Sequence, residues 1–204
     1  MSLDPLATED DVETELTRAL TSAEAVRVAG LLTQASRLVR RKTRQTFTLA
    51  TSTDVLRITH SEIRLPQRPV TAVSEVALVG YDGVTTYPVP FVWDGLDMVT
   101  LFGEQQVLNL PELLKDYAAS TAAVTYTHGY STIPDDVVGI TARMVARVYL
   151  APGTPGVSYQ STGPFSYRVT DGYNPGLVTL AQEDVDALRD GGYIREIRSI
   201  GTLR

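Results

Sequence analysis

The chain has 204 residues, 43% of them hydrophobic, which is enough to bury an ordinary globular core. It contains no cysteine, which excludes disulfides and thiolate chemistry, and its formal net charge of −6 argues against a protein that grips nucleic acid through phosphates. Residues 1–10 lack the features of a signal peptide, and no run of about 18 apolar residues predicts a membrane-spanning helix.

Two helices are predicted in the N-terminal region, over residues 8–45. Thr8 is a suitable N-cap because acidic residues follow in the first turn, where the helix dipole favours them. Thr21 and Glu24 have the spacing of a capping box, which predicts the start of a second helix that ends near Arg44. Apolar residues recur at helical spacing in both segments: Val12, Leu16, Leu20, Val28, Leu32, Ala35 and Val39.

The pattern changes to that of a β region over residues 46–130, which are rich in Thr, Val and Tyr and broken by Pro and Gly. Residues 65–70, Leu-Pro-Gln-Arg-Pro-Val, indicate a turn between two strands, and Asp82-Gly83 is typical of a hairpin. Short strands at this spacing predict an antiparallel sheet or a small barrel. A helical turn inside a loop is predicted at residues 111–117.

A helix over residues 134–150 is predicted to form the core of the helical part. Proline suits its first turn, and Asp135 and Asp136 lie where the dipole favours negative charge. Apolar residues cover much of its circumference, which is typical of a helix packed centrally against others: Val137, Val138, Ile140, Met144, Val145, Val148 and Tyr149.

The C-terminal part begins with a predicted loop over residues 151–178, where Gly, Pro, Ser and Tyr are frequent. Thr179 is expected to cap a last helix over residues 180–190, which Gly191 and Gly192 end. Residues 193–204 alternate apolar residues with arginines and are predicted to form a tail.

Together these elements predict an α+β fold. A helical bundle of about four helices carries an inserted antiparallel β region, a long loop and an extended C-terminal tail. We expect residues 1–192 to form a single domain and residues 193–204 to form a docking tail that extends from it.

No group of residues indicates catalysis. His60 and His128 lack partners at the spacing of a metal or catalytic site and are interpreted as polar turn residues. The sequence has neither a Gly-x-Ser-x-Gly elbow nor a phosphate loop. Dipole compensation explains three acidic pairs at predicted helix N-termini: Asp10-Asp11, Asp135-Asp136 and Glu183-Asp184. We therefore predict that the chain is not an enzyme and binds no cofactor or metal.

One strongly basic patch lies near the end of the second helix: Arg37, Arg40, Arg41, Lys42 and Arg44. Cations at a helix C-terminus complement the dipole, but five of them in eight residues exceed what capping needs. The alternative is a contact site for nucleic acid or for an acidic protein. Within that alternative a protein partner is favoured, because the whole chain is acidic.

Two further segments are predicted to contact neighbouring molecules. Aromatic residues of the loop are separated by Gly, Ser and Pro, which suits an adaptable contact surface: Tyr159, Phe165, Tyr167 and Tyr173. The alternative is a loop folded back on its own domain. The tail cannot bury its apolar residues alone, so we expect it to dock through Ile194, Arg195, Ile197, Arg198, Ile200 and Leu203.

Three motifs follow one another along the chain. The first, in the N-terminal helical pair, is Leu31-Leu32 and Ala35-Ser36-Arg37-Leu38-Val39-Arg40. The second is Leu65-Pro66-Gln67-Arg68-Pro69-Val70, followed by Val73 and Val76. The third is Val124-Thr125-Tyr126-Thr127-His128-Gly129-Tyr130, running into Ile133-Pro134-Asp135-Asp136-Val137. In this order and spacing the chain, from about residue 8 to 192, resembles the head-to-tail connector proteins of long-tailed bacteriophages, and among them the head-completion adaptors.

The resemblance implies a structural, non-enzymatic protein of the virion, made in the cytoplasm of the bacterial host. Such adaptors form a ring of about twelve copies beneath the portal protein and extend the DNA channel. They provide the platform for a stopper or tail-completion protein. The implied partners are these proteins, other copies of the chain, and double-stranded DNA that passes without sequence-specific binding; no membrane is implied. The tail would reach the portal or a neighbouring copy, for example by adding an edge strand to its sheet.

Two alternatives stay open at this point. A stopper or tail-completion protein would share these partners and differ in ring position, but the predicted helices favour the adaptor because stoppers are mainly small β-barrels. A DNA-binding regulator using the N-terminal helices belongs to another class. The acidic chain argues against it, and the second helix is long for a recognition helix.

Overall fold

A computed structural model describes residues 3–80, 83–84, 86–101, 121–150, 159–162, 165–168 and 177–194. The chain divides into a helical unit, Met1–Thr43 with Ile133–Arg204, and a sheet unit, Arg44–Thr132. The expectation of a single domain over residues 1–192 with a tail over 193–204 stays a prediction.

The elements follow in chain order: α1 (Glu9–Leu16), α2 (Ser22–Thr43), β1 (Ala50–Thr59), β2 (Glu62–Arg64), β3 (Val70–Val79), β4 (Thr86–Pro88), β5 (Phe91–Trp93), β6 (Met98–Leu101), β7 (Thr121–His128), α3 (Asp135–Leu150), β8 (Tyr159–Thr162), β9 (Phe165–Arg168) and α4 (Gln182–Asp190).

Both N-terminal helices begin where the sequence predicted, at the Thr8 N-cap and at the Thr21–Glu24 capping box, and the structure shows that Thr8 also forms a capping box. The Thr8 Oγ1 atom accepts the backbone N–H of Asp11, whose carboxylate accepts the backbone N–H of Thr8 at 2.7 Å. Thr21 and Glu24 repeat the arrangement, with the Glu24 carboxylate 2.9 Å from the Thr21 nitrogen. Each box satisfies backbone donors that the first helical turn leaves without a partner, which fixes where each helix starts.

Helix α3 packs against both α1 and α2 in the helical unit. It follows Pro134, whose carbonyl oxygen accepts the backbone N–H groups of Val137 and Val138 at 3.0 Å each. This confirms the helix predicted over residues 134–150. The core of the unit is formed by the buried faces of the three helices: Val12, Leu16, Val28, Leu31, Leu32, Ala35, Val39, Val137, Ile140, Met144 and Val145.

The sheet unit contains a seven-stranded antiparallel sheet in the order β4-β3-β7-β1-β2-β6-β5. The long strands β3, β7 and β1 are neighbours, and β7 is hydrogen-bonded to both of the others. The three-residue strands β4 and β5 lie at the two edges, which leaves little unpaired backbone in each edge strand. This confirms the antiparallel sheet predicted for residues 46–130.

The two faces of this sheet differ in character. Alternate residues of β7 are fully buried, as period-two strands require when one face meets a core. Threonine pairs cross the other face, where the hydroxyl oxygens of Thr53 and Thr125 lie 2.9 Å apart. The buried face packs around one apolar cluster: Ile58, Ile63, Leu65, Val70, Val76, Leu78, Val99, Leu101, Ala122, Val124 and Tyr126.

The predicted fold class is wrong in its emphasis. The chain is α+β, but a seven-stranded sheet with its own apolar core dominates it, rather than a helical bundle that carries a small β insertion. The error arose from treating the β region as an insertion into a helical core. The strand Thr121–His128 buries alternate side chains, and together with residues of the neighbouring strands these side chains build a separate core.

Two elements of the C-terminal part also differ from the prediction. Strands β8 and β9 pair antiparallel within the residues predicted as a loop, with Gln160 opposite Tyr167. Their β-branched and aromatic residues favour strands, a local signal that the abundance of Gly and Pro obscured. Helix α4 has Ala181 rather than Thr179 at its N-cap. The helical turn predicted at residues 111–117 lies outside the described residues.

We expect Leu65→Ala to destabilise the protein by about 2–5 kcal/mol, because it removes a side chain that is 0% exposed and leaves a cavity in the sheet core. Leu96→Ala is the matched control, since Leu96 is 71% exposed and its loss should change the free energy of unfolding by less than about 0.5 kcal/mol. Urea unfolding of both variants measures the difference. Equal effects would contradict this description of the core.

Candidate functional site

The basic patch is divided by the fold into groups with different surroundings. Arg37 and Arg41 are exposed and, four residues apart, share one face of α2. Lys42 is exposed in the last turn, and Arg44 is exposed just beyond it, in the sheet unit. Within the part of the chain that the structure describes, no carboxylate forms an ion pair with Arg37, Arg41 or Lys42.

Arg40 has a different role from its neighbours. Its guanidinium donates to the backbone oxygen of Asp4 at 2.7 Å. Burial lowers the pKa of Arg40, and the nearby charge of Asp4 partly opposes that shift. One turn earlier, the Ser36 hydroxyl accepts the backbone N–H of Leu6 at 2.8 Å. Arg40 and Ser36 therefore hold the segment that precedes α1 against α2.

The start of the predicted docking tail is fixed on the helical unit. The Tyr193 hydroxyl lies 2.9 and 3.0 Å from the two carboxylate oxygens of Asp136, at the beginning of α3. Gly191 allows this approach, because a Cβ atom there would lie 2.6 Å from the Tyr193 ring. Ile194 is half-buried. The other tail residues lie outside the described residues: Arg195, Ile197, Arg198, Ile200 and Leu203.

An ion pair holds α4 against α3. The Arg147 guanidinium donates to both carboxylate oxygens of Asp184, at 2.6 and 2.7 Å, and lies 3.2 Å from Glu183. The Asp184 side chain is fully buried. Compensation of the helix dipole therefore does not by itself account for the Glu183-Asp184 pair, because Asp184 also forms the buried ion pair with Arg147. The ion pair could not be predicted from the sequence, because Arg147 and Asp184 are 37 residues apart.

The aromatic loop residues are only partly described. Tyr159 lies in β8, where it stands opposite Arg168, and Phe165 and Tyr167 lie in β9. Tyr173 lies outside the described residues. The proposed contact role of these residues stays a prediction.

Two motifs of the sheet unit meet at Gly129. Its backbone N–H donates to the Pro69 oxygen at 2.9 Å, joining the end of β7 to the turn before β3. Gly129 has a φ of +94°, and a Cβ atom at this position would lie 2.2 Å from the Thr48 oxygen. Only glycine fits both conditions, which explains the Gly-Tyr that follows the strand. The next residue, Tyr130, stacks on Phe47.

His128 has a structural setting inside the sheet unit. It lies at the predicted strand end but is buried rather than part of an open turn. Its Nε2 atom is 2.9 Å from the Ser52 hydroxyl and its Nδ1 atom 3.5 Å from the Thr46 hydroxyl. A nucleophilic triad would need a carboxylate on the second ring nitrogen, whereas Asp54 accepts the Tyr126 hydroxyl at 2.6 Å. The arrangement satisfies buried polar groups.

Across residues 3–80, 83–84, 86–101, 121–150 and 177–194, no cluster of three or more His, Cys, Asp or Glu side chains is arranged to hold a metal ion. None of the helices described is both long and apolar enough to cross a membrane.

No protein-family model matches the sequence, and no curated protein matches it. Among solved structures, a chain in the virion of a native gene transfer agent particle is similar, with a TM-score of 0.53, 17% sequence identity, and coverage of 88% of this chain and 82% of that one. A chain in the neck of the empty particle, computed with C6 symmetry, matches with a TM-score of 0.49 and 17% identity over 72% of this chain and 80% of its own. A chain in the neck of the native particle, computed with C12 symmetry, matches with a TM-score of 0.46 and 17% identity over 77% of this chain and 87% of its own. The first of these likenesses shows a shared fold.

We expect Asp184→Asn to destabilise the protein by about 2–3 kcal/mol, because it leaves the Arg147 guanidinium without its buried carboxylate. Asp186→Asn makes the same change in the same helix, but its ion pair with Arg189 is exposed and should contribute less than about 1 kcal/mol. Urea unfolding compares the two variants. An equal loss in both would show that the buried pair does not hold α4.

The pH dependence of stability should carry a contribution from His128. Burial lowers the pKa of His128 in the folded protein, and the charge of Asp54 partly offsets this. Below about pH 6.5 the unfolded chain then binds a proton that the folded protein does not. The free energy of unfolding therefore decreases as the pH is lowered, with a slope of up to about 1.4 kcal/mol per pH unit. His128→Gln should reduce this slope between pH 7.5 and 5.5.

The control for this experiment is His60→Asn, since His60 is exposed and has a φ of 52° that asparagine tolerates. Its slope should equal that of the wild type. A His128→Gln slope equal to the wild-type slope would contradict the assignment.

Proposed function

We propose that this chain is a structural protein of a bacteriophage-like particle, a head-to-tail adaptor that forms a ring beneath the portal. The observation that carries the proposal is the fold shared with a chain of a gene transfer agent virion, over 88% of this chain and 82% of that one. The resemblance to head-completion adaptors, read from separate sequence motifs, supports the same role. In this role the protein works through contacts and catalyses no reaction.

The charge of the chain suits a channel through which DNA moves. Each copy has a net charge of −6, and a ring repeats that charge around the channel. A wall of like charge repels the phosphate backbone instead of binding it, so DNA passes without sequence-specific contacts. The partners are then the portal on one side, a stopper or tail-completion protein on the other, and further copies of the chain.

The point at which the C-terminal residues leave the helical unit suits a contact with the portal. Tyr193 and Asp136 fix the point from which the C-terminal residues leave, so the docking tail starts at a defined place on each copy. A defined starting point reduces the entropy lost when a tail binds. The loop residues Tyr159, Phe165, Tyr167 and Tyr173 are proposed to contact a neighbouring copy.

The experiment is a deletion of residues 195–204, which keeps the Tyr193–Asp136 hydrogen bonds and should leave unfolding unchanged. The truncated protein is expected to fail to join portal-containing heads, lowering the yield of tailed particles at least about tenfold in a complementation assay. The matched comparison replaces Ile197, Ile200 and Leu203 with serine in one variant and Arg195, Arg198 and Arg204 with glutamine in another.

We expect the serine variant to fail and the glutamine variant to assemble partially, because apolar burial supplies most of the docking energy. Normal particle yield from the truncated protein would refute the docking tail. Absence of the protein from purified tailed particles would refute the connector role. A salt-dependent shift of duplex DNA by the purified chain would support the DNA-binding alternative instead.

A further inference from the structure

A cleft lies between α1 and the first half of α3 in the helical unit. It has a volume of about 230 Å³ and is lined by three carboxylates and by small or apolar residues: Asp11, Thr14, Glu15, Asp135, Val138, Gly139 and Ala142. Gly139 leaves open space at its position, since nothing lies within 4 Å of where a Cβ atom would be. The cleft therefore combines an apolar floor with an acidic rim.

The carboxylates of this rim keep free capacity to accept hydrogen bonds. Glu15 has a loose ion pair with Arg143, 3.8 Å long, and Asp135 is exposed with no ion pair among the described residues. Asp11 uses one oxygen for the capping box. These carboxylates can accept more hydrogen bonds than they form within the chain. The guanidinium of an inserted arginine would therefore find several acceptors, while its methylene groups would cover the apolar floor of the cleft.

The basic face of α2 has the opposite character. Arg37 and Arg41 lie on the side of the helix opposite its buried positions Val28, Ala35 and Val39, so they point away from α3. The cleft, in contrast, is formed by α3 with α1. The helical unit thus presents an acidic cleft and, on α2, a basic face whose Arg37 and Arg41 have no ion pair among the described residues.

We propose that the basic face of one copy, with Arg37 and Arg41, docks into the acidic cleft of the next copy between α1 and α3. This rests on the ring of the proposed function and names the contact that builds it. Because the two surfaces are different and lie on one chain, each copy offers one of each. The contact is then head-to-tail, repeats from copy to copy and closes into a ring.

A second copy fits this face better than DNA does. Two arginines four residues apart, on a chain of net charge −6, give little attraction for a phosphate backbone. Opposite charges on two surfaces of one chain steer its copies together and align them as they meet. The contact should weaken as salt rises, since exposed ion pairs are screened.

The first test compares self-association of full-length proteins by sedimentation velocity at low and high NaCl. Arg37→Glu with Arg41→Glu should raise the dissociation constant at least about tenfold. The matched control, Arg57→Glu with Arg64→Glu, makes the same change in net charge at exposed arginines of the sheet unit and should associate like the wild type. Equal weakening in both variants would overturn the proposal, because net charge alone would then explain it.

A mixing experiment tests the pairing itself. Glu15→Lys with Asp135→Lys should also weaken association, because it reverses the charge of the cleft. Mixed with the Arg37→Glu, Arg41→Glu protein, it should restore assembly, since alternating copies again meet with opposite charges. Failure of the mixture to assemble, with both variants folded by circular dichroism, would overturn the proposed contact. Loss of DNA retention with intact self-association would also overturn it and assign the basic face to DNA.

Cross-linking separates this proposal from the proposed function. The chain has no cysteine, so Gln34→Cys, on the same face of α2 as Arg37, with Thr14→Cys, which lines the cleft, provides the only thiols for a short bismaleimide. The expected product is a ladder of dimers, trimers and higher species, because the contact is head-to-tail. Assembly without a ladder would overturn the contact and leave the ring intact. A wild-type protein that stays monomeric at every concentration and salt would overturn the contact, and the absence of a ring of this chain from purified tailed particles would overturn the proposed function as well.

Discussion

The burial of α3 against α1 and α2 is the constraint on which the helical unit depends. The first turn of α3 carries Asp136, which receives Tyr193, and its last turn carries Arg147, which holds Asp184. Both surfaces of the proposed contact between copies also depend on this helix. It forms one wall of the acidic cleft, and it covers the buried side of α2, leaving the basic face outward.

Local rules explain which parts of the fold the sequence predicted. The caps at Thr8 and Thr21 and the start after Pro134 follow from backbone groups that neighbouring residues must satisfy, so a short window of sequence was sufficient. The dominance of the sheet could not be predicted in this way. The sheet depends on the pairing of β7 with β1 and β3, in which the paired residues are 44 to 78 positions apart in the chain.

In the candidate sites, too, features formed by neighbouring residues could be predicted from the sequence, and features formed by residues distant in the chain could not. Arg37 and Arg41 could be found from the sequence, because five cations in eight residues are visible without a structure. Their separation from Arg40 could not, since it depends on the backbone of Asp4. The cleft was not predicted because Asp11 and Asp135 were each assigned to a helix dipole and Glu15 belonged to no recognised motif. Only the packing of α1 beside α3 brings Asp11, Glu15 and Asp135 to one opening.

The hydrogen bonds between Tyr193 and Asp136 have a mechanical consequence. A pull on the residues beyond Ile194 would be resisted first by the hydrogen bond that the Tyr193 hydroxyl donates to the Asp136 carboxylate, at the start of α3, and only afterwards by the shorter α4. The load therefore enters the unit through its most deeply packed helix. Tension transmitted through a docked C-terminal segment would be shared across three helices, and α4 would be protected from unravelling.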